Sequence, residues 1–242
     1  MMILAAHQPQ YLPWLGYFDK ILKSDRFVFL DCVQYEKRGF QNRNQIRTHK
    51  GPVWLTVPVI SKGRYHQMLK EVKIDPSLRW AKEHWNALKL NYGRAPFFKP
   101  YAPFFEATYG RQWEYLIDLN LHTITFLLEC FEVDTPLVME SELQIKGRAT
   151  ERLVELTRKL GATTYLSGIG GKAYLEEERF RKADLQLVYQ VFQHPVYPQL
   201  FAGSPDDFMT NLSAVDLLFN EGPKSAKILR GMQETKPTIH AE

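Results

Sequence analysis

Four short stretches of this chain bring together residue types able to move protons or hold anions. The first is His7-Gln8-Pro9-Gln10-Tyr11-Leu12-Pro13-Trp14, in which an imidazole, two amides, a phenol and an indole sit among prolines that restrict the backbone. An imidazole there can act as general base or donate to a phosphate, with His7 and Tyr11 as catalytic candidates and Gln8 orienting polar substrate groups. Trp14 is a candidate substrate contact; its bland reading, shared with Tyr17 and Phe18, is packing against a sheet. The second stretch runs from Tyr35 to Gly51, 'YEKRGFQNRNQIRTHKG'. Lys37, Arg38 and Arg43 are interleaved there with Asn42 and Asn44, a set suited to phosphate, carboxylate and sugar hydroxyls. Its bland reading is a charged edge that discourages aggregation.

The third stretch is Ser167-Gly168-Ile169-Gly170-Gly171 followed by Lys172. Small residues let backbone N–H groups approach a ligand, so Ser167, Gly168, Gly170, Gly171 and Lys172 are candidates for a phosphate-bearing cofactor. The stretch fits neither the P-loop nor the dinucleotide fingerprint. The fourth, Gln193-His194-Pro195-Val196-Tyr197-Pro198-Gln199, repeats the composition of the first and makes His194 a catalytic candidate, with Tyr197 and Gln199 as substrate contacts. Cys32 and Cys130 are the only cysteines and stand far apart; neither they nor Asp31 and Asp216 show metal-ligand spacing, so no metal is expected. No serine–histidine or cysteine–histidine signature is present either.

These stretches need elements to hold them. The apolar runs Ile3–Ala6 and Phe27–Leu30 flank the helical spacing of Trp14–Leu22, a strand–loop–helix–strand start. Open α/β sheets bind ligands at the carboxyl ends of such strands, where His7 falls. Further strands are expected at 69–74, 137–139, 163–166 and 187–192, and a basic hairpin from Gln41 to Val57. Helices are expected from Ser77, as a cap, to about Asn91, two more over 97–132, then 149–160, 172–182 and 213–219. The expectation is one α/β domain over 1–232 with a helical lobe at 78–132, and a flexible tail at 233–242.

At 242 residues, 45% hydrophobic and 24% charged, the chain has the make-up of a soluble globular protein. Its net charge of +4 suits an anionic ligand without selecting one, and no nucleic-acid-binding motif accompanies it. The two isolated cysteines point to a reduced, cytoplasmic compartment, and no apolar run approaches the ~20 residues of a membrane span.

The ordered stretches 'HQPQYLPWLGYFDKI', 'FLDCVQYEKRGFQNRNQIRT', 'WLTVPV', 'TYLSGIGGKAYL', 'HPVYPQ' and 'LSAVDLLFNEG' resemble the WbqC-like protein family over roughly residues 5 to 222. The resemblance implies a role in bacterial surface polysaccharide (O-antigen, lipopolysaccharide) synthesis, with sugar modification by acyl or aminoacyl transfer. It supplies no catalytic residues to carry over. A fainter likeness links 'QPQYLPWLGY' to nucleotidyltransferases of the HIGH type, with Trp14-Leu15-Gly16-Tyr17 keeping the glycine and replacing both histidines.

The fold class expected is therefore α/β: a mostly parallel sheet with a Rossmann-like or nucleotidyltransferase-like βαβ start, a basic β-hairpin insertion and a central helical lobe. The function expected is transfer to a phosphate-bearing small molecule, a nucleotide-activated sugar, with the donor open between ATP and an acyl-CoA or acyl carrier protein. His7 is expected in a cleft bordered by Arg43 or Arg38. The alternatives are a nucleotidyltransferase using ATP or CTP and a non-enzymatic module for polyanions.

Overall fold

The computed structural model describes residues 1–231. Its centre is β1 (Ile3–His7), whose residues Leu4, Ala5 and Ala6 are buried, as an unbroken apolar run requires in a strand covered on both faces. In parallel beside it lies β2 (Arg26–Phe29), with Leu4 opposite Arg26 and His7 opposite Phe29. The basic stretch forms β3 (Arg43–Thr48) and β4 (Gly51–Thr56), an antiparallel pair outside the main sheet, turned at a Gly51 whose φ of 113° suits glycine. Three more parallel strands follow: β5 (Leu137–Met139) against β2, β6 (Thr164–Ser167) against β1, and β7 (Gln186–Tyr189) against β6. The order β5-β2-β1-β6-β7 is that of a doubly wound sheet, whose winding reverses between β1 and β6.

Successive side chains of a strand point to opposite faces, and the two cores follow that parity. Ala5, Phe27 and Phe29 face α1 (Leu15–Leu22), with Tyr17 edge-on to Phe27 at 5.8 Å. The same core takes in the helical lobe, α2 (Trp80–Tyr92), α3 (Phe98–Gly110) and α4 (Leu116–Cys130), through residues such as Leu88, Phe105 and Leu127. Leu4, Ala6 and Val28 face the opposite way, onto Leu153 and Leu156 of α5 (Ala149–Lys159) and Phe180 of α6 (Glu177–Lys182).

Several local expectations change. The strand expected at 69–74 is a short 3-10 turn, Leu69–Glu71, followed by the isolated bridges Val59–Ile74 and Lys73–Tyr115; the alternation of Val72 and Ile74 buries both without a ladder. Ser77 caps no helix: its backbone N–H and hydroxyl both donate to Asp75 Oδ1, and α2 begins three residues later. The helix expected at 172–182 divides into the turn Ile169–Ala173 and α6. α7 (Val215–Glu221) ends at Gly222, whose positive φ redirects the chain into α8 (Ser225–Gly231), an element the sequence reading omitted. The tail expected at 233–242 lies outside the described residues.

Candidate functional site

Where β1 and β6 diverge, their carboxyl ends leave a cleft of about 570 Å³. β1 contributes His7, and α1 with its lead-in contributes Trp14, Gly16, Tyr17 and Lys20. Gly168 to Gly170, after β6, form the facing wall; Gln190, Phe192 and His194, after β7, and Asn211 complete the rim.

α1 explains the most unusual of these groups. Seven of its eight residues are buried, so the helix is enclosed almost all round and its one lysine cannot reach bulk water. Lys20 is only 3% exposed, and its Nζ donates to the Ala6 carbonyl at the end of β1 at 3.1 Å. Among the described residues no carboxylate lies in ion-pair range of it: neighbouring Asp19 points elsewhere, to Lys23 at 2.9 Å and to Gln190 at 2.6 Å. Burial without a counter-ion brings the Lys20 ammonium down from 10.5 to about 7. The cleft thus holds a cation that gives up its proton near neutrality and has room for an anion.

His7, part-buried, stands edge-on to Tyr17 at 5.3 Å. Burial, and then the Lys20 charge, push its imidazole down to about 3 against the pull of the Gln8 carbonyl, so the ring is neutral at physiological pH. That carbonyl lies 3.2 Å from Nδ1, which assigns the proton to Nδ1 and the lone pair to Nε2. Across the cleft His194 has its Nδ1 2.8 Å from the Pro195 carbonyl, and burial lowers its pKa as well.

The glycine turn separates into two kinds of position. Gly171 is a packing requirement, because a Cβ there would collide with the Ser167 hydroxyl, which itself donates to the Gly168 carbonyl. Gly168 and Gly170 have no such need: neither has a positive φ and nothing would meet a Cβ within 4 Å. Both line the cleft and present bare backbone to it.

The structure brings His7, Trp14, Gly168, Gly170 and His194 to one cleft and leaves the other sequence candidates elsewhere. Tyr11 is fully buried, its hydroxyl 2.8 Å from His84 Nδ1 and 2.5 Å from the Tyr109 hydroxyl. The Gln8 carbonyl accepts from Tyr17. The Asn42 and Asn44 amides donate to the Val57 and Leu12 carbonyls at 2.7 Å, which fastens the hairpin to its surroundings. Arg43 donates to the Arg38 carbonyl and lies 4.3 Å over Trp54; neither it, Arg38 nor the exposed Lys37 lines the cleft. Tyr197 and Gln199 both donate to buried Asp216, at 2.8 and 2.6 Å, and Gln199 accepts from Arg47 at 2.5 Å. The Asp216 carboxylate also accepts from Tyr92, so this network joins the hairpin, the lobe and α7. Ser167 and Gly171 are buried behind the wall, and the Lys172 ammonium lies 5.1 Å over the Tyr189 ring.

The WbqC-like protein family model matches residues 8–228. The chain belongs to that family. It is similar to "Uncharacterized protein Rv1507c" of Mycobacterium tuberculosis, with 36% identity over 232 residues, 95% of this chain and 98% of that one. No solved structure matches the chain.

In this family member the sequence reading missed Lys20, Gln190 and Asn211. Lys20 resembles any lysine on an amphipathic helix; the available signal was the run of apolar residues Tyr17, Phe18, Ile21 and Leu22 around it, interrupted by Asp19. Gln190 had no signal, since its part comes from tertiary contacts with Asp19 and the Gly16 carbonyl. Among the described residues no helix is long and apolar enough to cross a membrane.

Proposed function

We propose that this chain is a cytoplasmic transferase that binds a nucleotide-activated, phosphate-bearing sugar in the β1–β6 cleft and modifies it for a bacterial surface polysaccharide of the O-antigen type. The observation that carries the reading is Lys20, a buried ammonium without a carboxylate partner among the described residues, at the reversal point of a doubly wound sheet. A buried charge is tolerated when a partner compensates it, and a phosphate is the partner such a cleft receives in sheets of this order. The bare backbone at Gly168 and Gly170 allows the ligand close approach, and Trp14, packed on Gly16, lines the same cleft.

His7 then acts as general base. Its Nε2 lone pair takes the proton from a sugar hydroxyl or amine as that group attacks, and the Nδ1–H···Gln8 carbonyl contact fixes the tautomer. Burial is the larger cause of the low His7 pKa; a bound phosphate offsets the second, the Lys20 charge, and to that extent raises its basicity when substrate is present. An acyl or aminoacyl donor supplies the electrophilic carbonyl: as the new ester or amide bond forms, the donor's thioester or acyl-phosphate bond breaks, and the departing thiolate or phosphate takes the proton back from His7. Titration calorimetry with a panel of nucleotide sugars tests the reading: unaltered protein should bind at least one, and Lys20→Met should weaken it by ~10–100-fold. Equal affinity of the two proteins would reject the site.

The sheet order also favours a second reading, nucleotidyl transfer from ATP or CTP, because the same reversal point receives mononucleotides. Release of pyrophosphate in a substrate screen would select it over acyl transfer.

A further inference from the structure

A second group of side chains gathers on the same edge of the sheet, beyond the cleft and unused by the reading above. Asp31 and Cys32 follow β2 and Glu140 follows β5, and the register that sets Phe29 against Met139 brings the two strand ends side by side. The donor atoms of Asp31, Cys32 and Glu140 lie within 4.8 Å of one another. Asp31 and Glu140 are each only 2% exposed, whereas Cys32 is half-buried and gives access from solvent.

Each carboxylate has one oxygen held by a neighbour. The Ser141 backbone N–H donates to Asp31 Oδ1 at 2.9 Å, and Arg152 donates to Glu140 Oε1 at 2.7 Å and to the Cys32 carbonyl at 3.1 Å. Glu140 Oε2 is buried and makes no hydrogen bond. A buried carboxylate oxygen without a partner is costly even where Arg152 pairs with the other oxygen, and a metal ion at Oε2 relieves it. The Lys70 ammonium, 3.2 Å from Cys32 Sγ, already places positive charge on the solvent side of the group.

We propose that Asp31, Cys32 and Glu140 form a binding site for a divalent cation of borderline softness, Zn²⁺ above all. A thiolate selects zinc over magnesium or calcium, and carboxylates complete its usual donor set. Zinc–ligand lengths of ~2.0–2.3 Å put tetrahedral donors roughly 3.5 Å apart, so the three side chains need to close by about 1 Å. Arg152 and the Ser141 N–H are the outer contacts that aim metal-bound carboxylates, and Lys70 is the group the metal displaces. Three protein donors leave a fourth position for water, the pattern of an open zinc site.

The test uses the full chain stripped with chelator and then dialysed against Zn²⁺, or against Co²⁺ as a spectroscopic probe. The expected result is one retained equivalent of metal and a thiolate-to-cobalt charge-transfer band in the near ultraviolet. Cys32→Ser should abolish the band and weaken Zn²⁺ by more than the ~10–100-fold that loss of a mere supporting residue costs. Lys70→Met, which removes the competing ammonium, should tighten binding. Failure of the unaltered protein to retain metal, or absence of the charge-transfer band from it, overturns the site whatever the variants do. Cys32→Ser binding Zn²⁺ as tightly as the unaltered chain also overturns it, since the metal would then be held adventitiously elsewhere.

Discussion

Replacing Lys20 by methionine should make the protein more stable and less able to bind its ligand. The fall of the lysine from 10.5 to about 7 corresponds, at ~1.4 kcal/mol for each pH unit, to a ceiling of roughly 5 kcal/mol for burying the charged form. Methionine is close in length and loses the bond to the Ala6 carbonyl, a charged hydrogen bond of ~1.5–3 kcal/mol. The net gain in acid is therefore at most roughly 2–3.5 kcal/mol, or ~4–14 °C in melting temperature for a chain of this size. The sign with pH follows from proton binding. Between about pH 7 and pH 10.5 the unfolded chain keeps the Lys20 proton and the folded chain has released it, so the unaltered protein gains stability as pH rises. Below about pH 7 both states are protonated and the full cost stands. The advantage of Lys20→Met should thus be largest in acid and shrink steadily toward alkaline pH. Thermal melts of both proteins from about pH 6 to about pH 9 measure it. A difference between the two proteins that does not change with pH would show that the Lys20 ammonium is as well solvated in the folded chain as in the unfolded one, and that its burial costs nothing.

Three further outcomes are expected. His7→Gln should leave ligand affinity nearly unchanged by calorimetry while lowering turnover by ~10²–10⁴-fold, the usual worth of general-base catalysis. Gly170→Ala, where a Cβ meets nothing, should keep the melting temperature and weaken ligand binding, whereas Gly171→Ala, forced against the Ser167 hydroxyl, should cost ~1–3 kcal/mol in urea denaturation. Asp216→Ala should cost ~3–5 kcal/mol by the same method, because the Tyr92 and Tyr197 hydroxyls and the Gln199 amide all lose their buried acceptor.

The parallel strands were legible because unbroken apolar runs such as Ile3–Ala6 suit a strand covered on both faces, and the hairpin because its alternation meets a glycine turn. Short segments read less well: the 69–74 stretch shares its Val72–Ile74 alternation with true strands, and only the lack of a neighbouring edge makes it a turn. Within the site, residues next to strand ends were legible, since topology alone sends His7 and Gly168 to one edge. The second His-Pro-Tyr loop shows the limit of composition. His194 reaches the cleft, yet Tyr197 and Gln199, three and five residues later, turn inward to the Asp216 carboxylate. The hairpin shows it again: Asn42 and Asn44 look like ligand groups in sequence and serve as fasteners in the fold. Lys20 and Glu140 were hidden because their character comes from tertiary surroundings, a buried ammonium held by the Ala6 carbonyl and a carboxylate with one oxygen, Oε2, outside the Arg152 pair, which sequence spacing does not record.

The most direct measurement is a crystal structure of the protein with a bound nucleotide sugar. The phosphates should lie between β1 and β6, with one oxygen in hydrogen-bond reach of Lys20 Nζ and the ligand against Gly168 and Gly170. A ligand seated instead on the hairpin beside Arg43 and Arg38, with the β1–β6 cleft holding only water, would contradict this placement.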